Sequence, residues 1–147
     1  MQAVAKPSTK IRVLCVDDSE DIPEMMRRCI EHEPDMENAG SLNATGDLLA
    51  EVKRTRADIV LLDMNMPGED PLEALREVAA AERGGGAEGA GARVIAYSGR
   101  RDEAAVDRAA KAGAWGYVSK DAEIPRVLDA IREVAQGRTA FRRSTAR

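Results

Sequence analysis

Short apolar runs that each stop at a polar residue constrain this chain more than any other feature. Ile11–Val16 (IRVLCV) ends at Asp17 and Asp18, and Asp58–Leu62 (DIVLL) ends at Asp63. Arg93–Tyr97 (RVIAY) ends at Ser98, and Trp115–Ser119 (WGYVS) ends at Lys120. Runs of this length without regular polar alternation predict strands covered on both faces. Met36–Leu42 is a weaker strand candidate. Helical spacing fills the intervals. Ile22, Met25, Met26, Cys29 and Ile30 predict an amphipathic helix over about 20–32, with Ser19 as its N-cap. Ala44–Thr55 repeats the pattern through Leu48, Leu49 and Val52. Leu72, Leu75, Arg76 and Val78 predict a third helix after the Met66-Pro67-Gly68 loop, and Asp102–Lys111 a short alanine-rich fourth. Glu123–Gln136 closes the series, with Gly137 as a natural stop. Strand and helix alternate strictly, which predicts an α/β fold: a parallel sheet with helices on both faces and right-handed crossovers.

Composition narrows the function. A chain of 147 residues suits one compact core, and a formal net charge of −4 disfavours non-specific nucleic-acid binding by the folded body. Aromatics make up only 3% of the residues, too few for a base-stacking platform. The cysteines, Cys15 and Cys29, form neither a disulfide framework nor a metal-ligand spacing. The lone His32 has no second histidine for a zinc or triad reading and reads as a solvated residue at a helix end. No apolar run reaches bilayer-spanning length, and Met1–Lys10 lacks the apolar segment of a signal peptide, so a cytoplasmic location is expected. The glycine-rich stretch Gly84–Gly91 lacks the lysine and hydroxyl of a phosphate-binding loop and reads as a surface linker. The expected organisation is a tail over 1–10, one domain over 11–137, and a basic tail over 138–147 with four arginines.

In a parallel sheet of this kind, ligands sit beyond the carboxyl ends of the strands. Asp17, Asp18, Asp63, Ser98 and Lys120 all fall at such ends. One carboxylate there is readily a cap or turn residue. Several together repel, unless protons or a cation neutralise them. Carboxylates, a backbone carbonyl and water are the ligand set of Mg²⁺, which also suits a phosphate donor. Asp63 is then the natural nucleophile, with Lys120 and Ser98 as point charge and hydrogen-bond donor.

Four stretches together resemble the receiver domain of two-component response regulators. They are Val13–Ser19 (VLCVDDS), Val60–Gly68 (VLLDMNMPG), Val94–Gly99 (VIAYSG) and Ala112–Lys120 (AGAWGYVSK). The resemblance runs from about Ile11 to Gly137. It implies a doubly wound five-stranded parallel sheet in the order 2-1-3-4-5 with five helices, like flavodoxin. It implies that a histidine kinase or phosphotransfer protein phosphorylates Asp63. Asp18, Asp63 and the backbone carbonyl of Asn65 would ligate Mg²⁺, with Asp17 acting through water. Ser98 would bond the phosphoryl oxygen, Lys120 would pair with carboxylate and phosphate, and Tyr117 would swing inward with Ser98. The face made by the fourth helix, last strand and last helix would meet a downstream protein or a second copy. Specific nucleic-acid binding and membrane binding are not expected of this chain alone.

The sequence also departs from the family pattern. Pro71 stands where glycine is frequent, and a first-turn proline is well tolerated. Asp121 replaces a common cis-proline, so a trans bond is predicted. The Lys120-Asp121 pair and Ala130–Thr139 (AIREVAQGRT) resemble receivers that precede a helix-turn-helix output domain. The expectation is a receiver lacking that output, the alternative a receiver fragment of a DNA-binding transcription regulator. An aspartyl-phosphate phosphohydrolase is disfavoured because Asn65 stands where its second carboxylate belongs. A flavin-binding protein is disfavoured because the acidic cluster repels phosphate without a metal. Trp115, two residues before Tyr117, is expected on the same side of the last strand.

Overall fold

The computed structural model of the chain describes residues 10–83, 91–100 and 102–141. The glycine-rich linker, apart from Gly91, and most of both expected tails lie outside the described residues. Strands β1 (Ile11–Val16), β2 (Met36–Leu42), β3 (Ile59–Leu62), β4 (Arg93–Ser98) and β5 (Gly116–Ser119) alternate with helices α1 (Asp21–Glu31), α2 (Leu48–Thr55), α3 (Pro71–Arg83), α4 (Glu103–Ala112) and α5 (Ile124–Ala135). All neighbouring strands are parallel, in the order β2-β1-β3-β4-β5. The expected architecture is therefore present. Pro71 opens α3, and no cis peptide bond occurs among the described residues, so the Lys120–Asp121 bond is trans as predicted.

The pleat explains why the central strands read as apolar runs. Val13 and Cys15 point to one face of β1, where Met26 and Ile30 of α1 and Val127, Ile131 and Val134 of α5 cover them. Leu14 and Val16 point to the other, against Leu48 and Val52 of α2 and Leu75 and Val78 of α3. The edge strand β2 is only half-buried and bulges at Ala39, where the pairing jumps from Asn38 to Gly40. That is why Met36–Leu42 (MENAGSL) carries a weak strand signal.

Three local expectations need correction. Helix α2 begins at Leu48, not Ala44, because Thr45 donates both its N–H (2.8 Å) and its hydroxyl (2.7 Å) to Glu69 in the β3–α3 loop. Arg76 is exposed, and Ala74 and Ala79 join Leu75 and Val78 on the buried face of α3. The packed chain also continues beyond Gly137. Ala140 is buried and exchanges backbone hydrogen bonds with Trp115 and Tyr117, so residues 138–141 follow the β5 edge rather than a free tail.

Helix α4 closes against α3 through Gly113, at a φ of 115°. A Cβ there would lie 2.4 Å from the Cβ of Ala79, so only glycine permits both the left-handed turn and the close approach. Just before β2, Asp35 is held by Arg132 of α5 through Nε at 2.8 Å and Nη2 at 3.0 Å, and Glu33 by the same Nη2 at 2.6 Å. These bonds hold the Asp35 carboxyl below the ordinary carboxylate range.

A carboxyl lowered by folding stabilises the fold above its unfolded pKa, and the contribution is lost as pH falls through the folded value. Arg132→Ala should therefore lower stability at neutral pH by about 1 kcal/mol, the scale of a partly exposed bidentate pair. Urea melts at a series of pH values should show the gap to the unchanged protein narrowing below about pH 3.9, the unfolded Asp value. A gap that widens on acidification would refute the pairing.

Candidate functional site

The parallel arrangement brings the carboxyl ends of β1, β3, β4 and β5 to one margin of the sheet. Order reverses there, since β1 lies between β2 and β3. Asp17 is 1% exposed and Asp63 is 3% exposed. Backbone bonds set both: Asp17 N–H donates to Leu42 O (3.0 Å) and Asp63 N–H to Val16 O (2.9 Å). Each carboxylate accepts the amide two residues on, Asp17 Oδ1 from Ser19 (2.9 Å) and Asp63 Oδ1 from Asn65 (3.0 Å). These are Asx turns that start the following loops. Each turns its other oxygen toward Lys120, whose Nζ lies 2.7 Å from Asp17 Oδ2 and 3.4 Å from Asp63 Oδ2.

Burial pushes the Asp63 carboxyl above its ordinary range, while the Asn65 N–H and the Lys120 ammonium pull it back without cancelling the effect. Burial works against the Lys120 charge too, but the two carboxylates outweigh it and its pKa is raised. Cys15, behind Asp17, has its thiol pushed up to about 12 by burial and then by the Asp17 charge. It is protonated and inert at neutral pH.

Asp17, Asp18 and Asp63 present carboxylate oxygens all within 4.8 Å of one another, with Asp18 exposed. Asp17 Oδ2 is buried and, although Lys120 stands beside it, receives no aligned hydrogen bond. Three carboxylates against one ammonium leave a set of hard oxygens with excess negative charge, which fits a divalent cation. The residues present therefore fit Mg²⁺.

Ser98 ends β4 at 1% exposure, its Oγ accepting the Arg100 N–H at 3.2 Å. Tyr117 lies already buried on the α3–α4 side, its Oη donating to Arg100 O. A depression of about 220 Å³ beside Ser98 is bordered by Asn65, Asp70, Arg100, Arg108 and Tyr117. Trp115 departs from expectation: it precedes β5 and packs on the α1–α5 side, opposite Tyr117. Its ring lies under Arg93, 4.2 Å to the centroid, and Arg93 donates to Val134 O near the end of α5. Sequence reasoning also missed Arg100. It joins Ser98 to Tyr117 through its backbone, so its side-chain identity carried no signal.

The sequence profile of the response regulator receiver domain matches residues 13–132. The chain belongs to this family. The receiver is 31% identical over 137 residues to the uncharacterized transcriptional regulatory protein YxjL of Bacillus subtilis, covering 93% of this chain and 60% of that protein. It is 33% identical over 123 residues to the chemotaxis protein CheY of Halobacterium salinarum, covering 84% of this chain and 95% of that one. The signal receiver domain of the response regulator NarL from Mycobacterium tuberculosis superposes with a TM-score of 0.78 at 27% identity, over 90% of this chain and 100% of that one. The receiver thus spans three fifths of YxjL but nearly all of CheY. Receivers are signalling phosphoacceptors of two-component systems, partnered by a histidine kinase and a downstream output or dimer. No helix among the described residues is long and apolar enough to cross a membrane.

Because Lys120 is the counter-charge of two buried carboxylates, removing it costs more than losing a surface lysine. Lys120→Met should fold but lose about 2 kcal/mol without Mg²⁺, short of the ~3–5 kcal/mol of a fully buried pair. Added Mg²⁺ should restore more stability in the variant than in the unchanged receiver. Thermal melts with and without Mg²⁺ measure this, and an equal shift in both proteins would contradict the charge assignment.

Proposed function

We propose that Asp63 accepts the phosphoryl group, and that Lys120 and Ser98 hold it in place. The observation that carries this reading is the Asp63 carboxylate itself. One oxygen is fixed by the Asn65 N–H and the other faces the Lys120 ammonium, at the open margin of the sheet. An Asp63 oxygen attacks phosphorus, the O–P bond forms, and the donor's N–P bond breaks. The electron pair stays on the imidazole nitrogen of a phosphohistidine donor. With an acyl phosphate, the donor's O–P bond breaks instead, and the pair stays on the departing carboxylate. Lys120 balances charge on the incoming group. Ser98 Oγ accepts from Arg100, so its own hydrogen is available to a phosphoryl oxygen.

Asp18, Asp63 and the carbonyl of Asn65 would hold Mg²⁺ directly, with Asp17 acting through water. When bound, the ion neutralises charge on the transferring group. Phosphoryl transfer asks for positioning and electrostatics rather than acid–base chemistry, and these residues supply both. The chain acts as a phosphoacceptor that promotes only its own phosphorylation and slow hydrolysis. Its partners would be a histidine kinase or phosphotransfer protein and, at the α4–β5–α5 face, a downstream protein or second copy. YxjL extends well beyond the matched region, which favours a second reading in which this receiver serves a longer transcription regulator.

Acetyl phosphate with Mg²⁺ should add one phosphate to the chain by intact mass. Asp63→Asn should abolish the addition, as should excess chelator. Equal labelling of that variant would remove Asp63 from the role.

A further inference from the structure

The outer edge of β5 is already occupied by the chain itself. Past Gly137, Arg138 and Thr139 are exposed, whereas Ala140 is 1% exposed. Ala140 N–H donates to Trp115 O at 2.9 Å, and Tyr117 N–H donates to Ala140 O at 3.1 Å. Together they form a parallel bridge centred on Gly116. The contact is tight and favours glycine on the strand. A Cβ at 116 would lie 3.0 Å from both the Cβ and the carbonyl oxygen of Ala140. Phe141 then packs, half-buried, against the cluster that contains Tyr117.

From this bridge, contacts run unbroken to the phosphoryl site. Ala140 holds the backbone of Tyr117, Tyr117 Oη donates to Arg100 O, and Arg100 N–H donates to Ser98 Oγ. The last bond leaves the Ser98 hydrogen free to meet a phosphoryl oxygen. Docking of the segment and engagement of the phosphoryl group therefore require the same arrangement of residues 98–100 and 117.

We propose that Arg138–Phe141 is a strand-like strap whose docking on the β5 edge is coupled to phosphoryl engagement at Ser98, each strengthening the other. This rests on the phosphoacceptor reading above. Coupling of two binding events is reciprocal, so it is testable from either end. The strap also decides what else the edge can bind: a strand from another chain must displace Ala140 to reach Trp115 O and Tyr117 N–H.

Hydrogen exchange followed by mass spectrometry on the full chain reads the strap, with beryllium fluoride and Mg²⁺ as the phosphoryl mimic. Adding the mimic should slow exchange in the peptide that contains Ala140. Gly116→Ala should bring that peptide to the rate of free chain and raise the beryllium fluoride needed for half-saturation roughly fivefold or more. Phe141→Ser should act in the same direction, and its side chain lies outside the buried core, so it decides the matter if Gly116→Ala does not fold. Loss of protection at Ala140 with unchanged affinity for the mimic would overturn the coupling. Fluorine NMR reports occupancy of Asp63 separately. Wild-type protection that ignores a mimic shown to be bound would also overturn the coupling. A wild-type chain that binds no mimic would refute the phosphoacceptor reading and the coupling together. Protection at Ala140 in the untreated chain would still show whether the strap is docked.

Discussion

One ammonium group holds the functional margin together. Asp17 and Asp63 stand at the ends of adjacent strands, almost wholly out of water, where two like charges repel strongly. Lys120 reaches them from β5, two strands from β3, and sits within ion-pair distance of both. Charged pairs elsewhere, such as Glu24 with Arg27 on α1 or Asp107 with Lys111 on α4, are solvated and contribute little. The Lys120 contacts differ because both of its partners are buried. Two carboxylates against one ammonium, with Asp18 nearby, still leave the margin negative, which is the electrostatic opening for a divalent ion.

The sheet makes that arrangement possible. Parallel strands aim all their carboxyl ends the same way, and burial on both faces fixes their register through apolar contacts alone. The polar residues are therefore delivered to one place by strands that carry almost no polar side chains. Chemistry and packing occupy different segments: Val13–Val16 and Ile59–Leu62 hold the core, and the next residue begins the site.

Much of this was legible from residue order. Central strands covered on both faces announce themselves as apolar runs, and α1 and α5 as clean helical stripes. The strand-end residues Asp17, Asp63, Ser98 and Lys120 followed directly. What escaped was set by distant backbone partners rather than local pattern. Glu69 draws Thr45 out of α2 from across the margin, and no periodicity could show it. Trp115 seemed to share a face with Tyr117, but strand alternation begins only at Gly116, so the rule did not reach it. The small, nondescript Ala140 gave no sign of its burial, because its role lies in its N–H and C=O.

A parallel sheet has two margins running along its outer strands, and exposed ones invite neighbouring chains to add on, the usual beginning of aggregation. Here neither is an inviting template. On β2 the bulge at Ala39 breaks the regular spacing, and Glu37, Asn38 and Ser41 make the strand polar. On β5 the Ala140 bridge takes up the Trp115 carbonyl and the Tyr117 amide. Parallel sheets form slowly and leave their edges open while they do. Once Ala140 has settled on β5, copies should stay apart at concentrations where an uncapped β5 would draw them together.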